Sequence, residues 1–187
     1  MPHTLAGYRD RALILTSLHY AARASEPAGL LVSDLTLHER GLVVDVVTGK
    51  TRHSVGTARI VRQDDPDLCP VVAWETYRTH LAEEADLRWS APEAPAWVSI
   101  DRWGHVTGGM TPDSITRAIR RASTRAGIRI AWTGHSLRIG HATLARQRGV
   151  DTTLIADQGG WARHSRALAG YIQHEDGWET TSSAHLT

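Results

Sequence analysis

The most restrictive feature of this sequence is the run of residues 134–171, which glycines divide into three short helical segments. The run is GHSLRIGHATLARQRGVDTTLIADQGGWARHSRALAGY. Gly149 is predicted to end the first segment and Gly159-Gly160 the second, because glycine readily takes the left-handed conformation that terminates helices. The third segment ends at Tyr171. Three consecutive helices with tight connections can bring distant side chains of this run together.

Four side chains of this run have the chemistry of a phosphate site. His135 and Arg138 are three positions apart, so they share one helical face. A guanidinium and an imidazole suit the oxygens of a phosphate, the indole N–H of Trp161 is a further donor, and the phenol of Tyr171 is a candidate covalent nucleophile. An H-x-x-R pair is a weak signal by itself, and an aromatic residue at a helix end is commonly a core residue. These residues alone leave both interpretations open.

The single lysine of the chain falls in a predicted β-hairpin. Gly41–Val47 and His53–Val61 are predicted strands, and Gly49-Lys50 forms the turn between them. Of 21 basic residues, 20 are Arg and one is Lys50. Codon bias can explain the arginines, and a lysine beside a turn glycine is commonly just solvated. Lysine can however give up its proton where arginine cannot, so Lys50 is a candidate proton donor.

The remaining elements are mainly helical. Gly7–Ala22 and Cys69–Glu83 are predicted helices, Ala96–Ile100 a short strand, Asp101–Gly109 a turn-rich segment, and Pro112 opens a helix that Gly127 closes. In that last helix four arginines lie at i, i+3, i+4 and i+8, opposite an apolar side. We call them the arginine stripe: Arg117, Arg120, Arg121 and Arg125. Fixed cations on one helical face suit a DNA backbone, although a solvated face is the alternative.

Taken together, these motifs resemble the catalytic domain of the tyrosine recombinase (phage integrase) family. The family pattern is an arginine box (here R-A-S-E), a hairpin lysine, H-x-x-R, then His or Trp, then the nucleophilic Tyr. The matching residues, in the same order, are Arg23, Lys50, His135, Arg138, Trp161 and Tyr171. Trp161 and Tyr171 are ten positions apart, about one more than in the family, and Pro27 replaces a more usual aliphatic residue.

The resemblance implies an α+β, mainly helical fold with a small antiparallel sheet near residues 41–62. It implies a disordered start at residues 1–6, a catalytic domain at 7–172, and a tail at 173–187 that is a candidate for packing on a neighbouring protomer. Members usually have an N-terminal core-binding domain that closes around DNA, and we expect it to be absent here.

The resemblance also implies a mechanism. Arg23 and Arg138 would hold the scissile phosphate, with Glu26 steadying the arginines and Trp161 donating to the phosphate. His135 would either bond the phosphate or accept the proton of Tyr171. Lys50 would protonate the leaving 5′-oxygen. No metal or cofactor is expected.

The expected function is site-specific DNA recombination or integration through a 3′-phosphotyrosyl intermediate. Alternatives are cleavage and resealing alone, as in type IB topoisomerases, and a non-catalytic DNA-binding remnant. The expected partner is double-stranded DNA, with a tetramer on DNA in a full-length context and a monomer otherwise. With no apolar run of about 18 residues, no signal peptide and one cysteine, Cys69, a cytoplasmic protein without a membrane span is expected.

Overall fold

Residues 2–47, 55–162 and 165–172, which the computed structural model describes, form seven α-helices and five strands. The helices are α1 (Leu5–His19), α2 (Glu26–Gly29), α3 (Pro70–Glu84), α4 (Pro112–Arg125), α5 (Ser136–Gln147), α6 (Thr152–Gly159) and α7 (Arg166–Tyr171). The strands are β1 (Leu35–His38), β2 (Gly41–Val47), β3 (Val55–Val61), β4 (Val98–Ile100) and β5 (Val106–Gly109). The predicted α+β, mainly helical class is confirmed. None of these helices is long and apolar enough to span a bilayer.

Helix α1 is the element that the other long helices surround. It packs along α3 and also contacts α4 and α5. Leu13 of α1, Tyr77 and Leu81 of α3, and Ile119 of α4 are almost completely shielded from solvent. These side chains belong to the main core, which also includes the inner face of the β2–β3 hairpin. The core therefore fixes the end of α1 beside the start of α5.

The start of α1 corrects one predicted boundary. We expected a disordered segment through residue 6, whereas the helix begins at Leu5. The side chain of Thr4 accepts a hydrogen bond from the backbone N–H of Gly7 at 3.2 Å, and Leu5 is buried. An N-terminal cap and an apolar anchor in the first turn are the two features that order a helix start.

The end of α1 also differs from the prediction, which continued the helix to Ala22. The helix stops at His19, and Ala21 has a φ of 56°, in the left-handed region. A residue with a β-carbon seldom adopts this conformation because the β-carbon approaches the carbonyl oxygen. The sequence contains no glycine or proline at this point from which the end of the helix could be predicted.

The three-stranded antiparallel sheet has the order β1-β2-β3 and contains the predicted hairpin. Leu42, Val44 and Ile60 face the core, so alternate residues of the two strands are buried. Strand β1 was not predicted. It has four residues, of which only Leu35 is buried, and so lacks an alternating apolar pattern. Lys50 lies between β2 and β3, outside the described residues.

A second, two-stranded sheet corrects the prediction of an irregular segment from Asp101 to Gly109. The first half does turn, but Val106–Gly109 forms β5, antiparallel to β4. Its last two residues, Gly108 and Gly109, have low strand propensity. The strand forms because β4 supplies its hydrogen-bonding partner.

Helices α5 and α6 end at the glycines that were predicted to end them. Gly149 (φ 75°) follows α5 and Gly160 (φ 62°) caps α6, both left-handed as glycine allows. Together with α7, these helices bury a small cluster separate from the main core, with Ala142, Ile155 and Leu168 among its members. We call it the C-terminal cluster. The predicted tail, 173–187, lies outside the described residues.

The stability of this fold should fall in mild acid. Burial, then the nearby His141 and Arg148, lowers the pKa of His19 from 6.5 to about 4. Between these values the unfolded chain binds a proton that the folded chain refuses, so stability is lost as the pH falls through 6.5 and continues to fall towards 4. We expect a loss of up to roughly 3 kcal/mol, because one pKa unit corresponds to about 1.4 kcal/mol.

Urea unfolding at pH 7.5 and pH 4.5 measures this loss. His19→Gln should lose clearly less stability between the two pH values than the wild type. His3→Gln, at an exposed position, is the control and should behave like the wild type. Equal losses in His19→Gln and wild type would contradict the assignment.

Candidate active site

The start of α5 lies against the segment that contains Arg23. A β-carbon at Gly134 would lie 2.9 Å from Cβ of Ala24 and 3.0 Å from Oγ1 of Thr116, so only glycine permits this approach. His135 is the residue that precedes the first turn of α5. The glycine therefore brings the H-x-x-R pair beside the first arginine box.

Arg138 joins the ends of two helices through backbone carbonyls. Its Nη1 donates to the carbonyl oxygens of Ala21 at 2.6 Å and Gly159 at 2.8 Å. The residue is only 3% exposed, and its Cζ lies 3.6 Å from the centre of the Trp161 ring. Within the part of the chain that the structure describes, its hydrogen bonds use Nη1 alone. Nε and Nη2 are therefore left to bind an anion.

Arg23 is held by a carboxylate and by the end of α6. Glu26 accepts hydrogen bonds from the Arg23 guanidinium and, at 2.6 Å, from the Arg23 backbone N–H. Nη2 of Arg23 donates to the carbonyl oxygen of Gly160 at 3.1 Å. The Glu26 side chain is 10% exposed and that of Arg23 is 43% exposed. The carboxylate thus orients a guanidinium that still reaches solvent.

The two arginines hold adjacent carbonyls, so their positive charges are close. Burial, and next the charge of Arg23, lowers the pKa of Arg138 from 12.5 to about 10, while Glu26 opposes the shift. The Arg138 guanidinium therefore remains protonated at neutral pH. A site that already contains two partly desolvated cations gains free energy when a dianionic or monoanionic ligand enters.

Tyr171 and His135 form the second half of the site. Oη of Tyr171 lies 2.7 Å from Nε2 of His135, and the two rings meet edge to face. In the neutral tautomer with its proton on Nδ1, Nε2 accepts the hydrogen of the phenol. Thr143 of α5 donates to the carbonyl oxygen of Tyr171 at 2.8 Å, which fixes the end of α7 against α5.

Trp161 lies between the two halves. Its ring stacks on Arg138 and is 6.1 Å from the ring of Tyr171, centre to centre. A β-carbon at Gly159 would come within 2.0 Å of this ring, so the glycine provides the space for the indole. The structure therefore brings together five of the six predicted catalytic residues: Arg23, His135, Arg138, Trp161 and Tyr171.

The model of the Phage integrase family matches residues 2–177. The chain belongs to the phage integrase family. No curated protein sequence matches it closely enough to count as a relative.

Solved tyrosine recombinases share the fold of this phage integrase domain. A XerH site-specific recombinase bound to its palindromic difH substrate is 17% identical with a TM-score of 0.65, covering 98% of this chain and 47% of that one. A XerA recombinase is 22% identical with a TM-score of 0.63, covering 100% and 65%. A lambda integrase dimer bound to a COC′ core site is 14% identical with a TM-score of 0.54, covering 91% and 56%. The chain thus spans about half to two thirds of their length.

The sequence did not reveal what holds the arginines of this family member. The carbonyls of Ala21, Gly159 and Gly160 accept from Arg138 and Arg23, and backbone acceptors leave no trace in residue type. Gln158 was also missed, although its side-chain amide donates to the carbonyl oxygens of His19 and Arg59. The sequence did offer one signal for Gln158: it is a polar residue between the apolar residues of α6 and the glycines that end the helix.

The arginine stripe is exposed, and some of its members lie beside carboxylates. Arg117 pairs with Asp113 one turn earlier, and Nη2 of Arg121 lies 3.9 Å from a carboxylate oxygen of the buried Asp10. The apolar side of α4 is buried as expected at Ile115, Ala118 and Ile119. Ala126, which follows the last residue of α4, is exposed because the helix ends before it.

Weak, salt-dependent DNA binding is expected if the stripe contacts phosphates. At net charge +1 the chain should bind random duplex DNA with a Kd of about 10⁻⁶–10⁻⁴ M at physiological salt. Each phosphate contact contributes about 0.9 to the slope of log affinity against log salt. The double variant Arg120→Ala/Arg121→Ala should therefore reduce the slope by roughly 2.

Fluorescence anisotropy over a salt series measures this slope. Arg11→Ala/Arg88→Ala removes the same charge elsewhere and should change the slope much less. Equal slopes for the two double variants would assign the stripe to a solvated face.

Proposed function

We propose that this chain is the catalytic domain of a site-specific DNA recombinase that cleaves and rejoins strands through a 3′-phosphotyrosyl intermediate. The observation that carries the proposal is the pairing of Tyr171 with His135 at 2.7 Å beside two guanidiniums held on adjacent carbonyls. A nucleophile, a base and a phosphate clamp in one place are the requirements of phosphoryl transfer.

The arginines account for binding and for transition-state charge. A scissile phosphate placed between Arg23 and Arg138 receives hydrogen bonds from both through its non-bridging oxygens. The charge on those oxygens becomes more concentrated in the five-coordinate transition state, so fixed cations favour it over the ground state. Burial, and next the charge of Arg23, lowers the pKa of Arg138. The repulsion between the two guanidiniums is relieved when the phosphate enters.

Tyr171 and His135 account for the attack. The phenol oxygen forms a bond to phosphorus as its proton passes to Nε2 of His135, and the bond from phosphorus to the 5′-oxygen breaks. Lys50 gives a proton to that 5′-oxygen. In the reverse reaction a 5′-hydroxyl attacks the phosphotyrosine and releases Tyr171, so the energy of the phosphodiester is conserved. Recombination requires partner sites, and we propose that a full-length form assembles as a tetramer on duplex DNA.

Replacing Tyr171 by Phe should abolish covalent attachment to DNA. The change removes the nucleophilic oxygen and little packing, so DNA affinity should stay within roughly twofold of the wild type. The substrate is selected from a pool of randomised nicked duplexes by recovering the protein–DNA adduct, and adduct is then measured on denaturing gels.

Tyr8→Phe is the matched control and should retain full adduct formation, since Tyr8 lies in α1 and stacks on His80. Adduct persisting in Tyr171→Phe would assign the chemistry to another residue. A wild type that binds but never forms adduct would identify a non-catalytic remnant. Exchange between two marked duplexes distinguishes recombination from cleavage and resealing alone.

Replacing Lys50 by Arg should cripple cleavage although the charge is kept. A guanidinium gives up its proton too reluctantly to act as an acid, and general acid assistance is worth about 10²–10⁴-fold. The defect should nearly vanish when sulfur replaces the 5′-bridging oxygen, because a thiolate leaves without protonation. Single-turnover cleavage of the two substrates measures the difference. Equal defects on both would make Lys50 a DNA-positioning residue.

A further inference from the structure

Tyr171 is attached to α5 through its backbone as well as through its phenol. Its carbonyl oxygen accepts a hydrogen bond from the hydroxyl of Thr143 at 2.8 Å, and its phenol oxygen lies 2.7 Å from Nε2 of His135. Thr143 and His135 are eight positions apart in the sequence, which corresponds to about 12 Å along a helix. Tyr171 therefore lies along α5, and Arg138 falls between the two points of attachment in the sequence.

The carbonyl of Tyr171 has no donor within its own helix. Tyr171 is the last residue of α7, and the last four carbonyls of an α-helix lack an intrahelical partner. The hydroxyl of Thr143 supplies a donor from a different element. Among the hydrogen bonds of the described residues, this bond and the one to His135 are the two that join α7 to α5.

Thr143 uses its hydroxyl differently from other helical threonines of this chain. The hydroxyls of Thr76, Thr79 and Thr116 each donate to the carbonyl four residues earlier in their own helix. That local bond is a common one for a threonine inside a helix. The hydroxyl of Thr143 instead reaches the backbone of another helix. Its contact therefore depends on the tertiary placement of α7 and not on local helix geometry.

The two bonds behave differently when the phenol reacts. The bond to His135 ends as the phenol gives up its proton and its oxygen moves to phosphorus. The bond from Thr143 involves only the backbone of Tyr171, so it can persist from the free protein through the covalent intermediate. Packing adds little to this restraint, because Leu168 is the buried side chain among the six residues of α7.

We propose that Thr143 is a positioning residue that ties the backbone of Tyr171 to the helix that positions His135 and Arg138. The base, one guanidinium and the backbone of the nucleophile are then held by one rigid element. The distance from the phenol oxygen to a bound phosphorus is thereby set by α5, and a misplacement of about 1 Å can cost on the order of 10²-fold in rate. The inference rests on the proposed function, because it assigns Thr143 to the attack by Tyr171.

The test compares Thr143→Val with Thr143→Ser. Valine keeps the shape and β-branching of threonine without a hydroxyl, whereas serine keeps the hydroxyl and loses the methyl group. In a single turnover Thr143→Val should form the covalent DNA adduct about tenfold more slowly than the wild type, with DNA affinity within roughly twofold. Thr143→Ser should recover most of the rate. A loss caused by packing alone would be greater in the serine variant.

Hydrogen exchange followed by NMR measures the attachment without any catalytic step. Removing one hydrogen bond of this kind changes a local opening equilibrium by about two- to tenfold. The backbone N–H groups of residues 169–172 should therefore exchange faster by about that factor in Thr143→Val and at nearly the wild-type rate in Thr143→Ser. The N–H groups of α1 should be unchanged in both variants.

Thr76→Val is the matched control, because it removes the hydroxyl of a half-buried threonine that bonds within α3. It should leave adduct formation and the exchange of residues 169–172 at wild-type values. Thr143→Ala is a second variant without a hydroxyl, should the valine variant not fold; urea unfolding measures the folded fraction of each.

The two measurements separate the inference from the proposed function. Unchanged exchange in Thr143→Val, unchanged adduct formation, or equal slowing in the valine and serine variants overturns the positioning role and leaves the proposed function standing. A wild type that forms no adduct overturns the proposed function and with it the role of Thr143 in cleavage, even where exchange shows that the bond holds α7. Faster exchange with slower adduct formation in Thr143→Val, both restored by serine, supports the role.

Discussion

The hydrogen bonds from Arg138 to the carbonyls of Ala21 and Gly159 are the interaction on which this site depends. They fasten the end of α1 to the end of α6 through a buried guanidinium. A buried charge is costly unless it is hydrogen-bonded, and removing one partner leaves the other unsatisfied. The local backbone must therefore take up this arrangement, including the unfavourable left-handed conformation of Ala21. Nη1 of Arg138 thus organises the backbone, while Nε and Nη2 remain for a ligand.

The proposed phosphate clamp is preorganised because its parts are oriented before any ligand arrives. Glu26 aligns Arg23, and the indole of Trp161 covers one face of Arg138. Side chains that are already in place need little reorganisation during reaction, which is the main source of electrostatic catalysis. The glycines at 134 and 159 serve the same end, because each allows a contact that a methyl group would block.

Sequence patterns predicted the residues of the site better than the contacts that hold them. Periodicity and glycine placement located α5, α6 and α7, and the resemblance identified the residues that meet in the structure. The break at Ala21 and the roles of the backbone carbonyls were not predictable, since both arise from tertiary contacts. Strands β1 and β5 were missed for a related reason: short strands with weak patterns form because a neighbouring strand is available.

The C-terminal cluster gives Tyr171, the proposed nucleophile, an attachment separate from the main core. Helix α7 has six residues, and Leu168 is the one it buries, in a cluster apart from the main core. Units with few buried contacts open at a much lower free energy than the whole domain. The C-terminal cluster should therefore open at a lower free energy than the main core, and Tyr171 with it. Opening of α7 would withdraw Tyr171 from the proposed phosphate site, and it would require the loss of the Leu168 packing and of the hydrogen bond from Thr143.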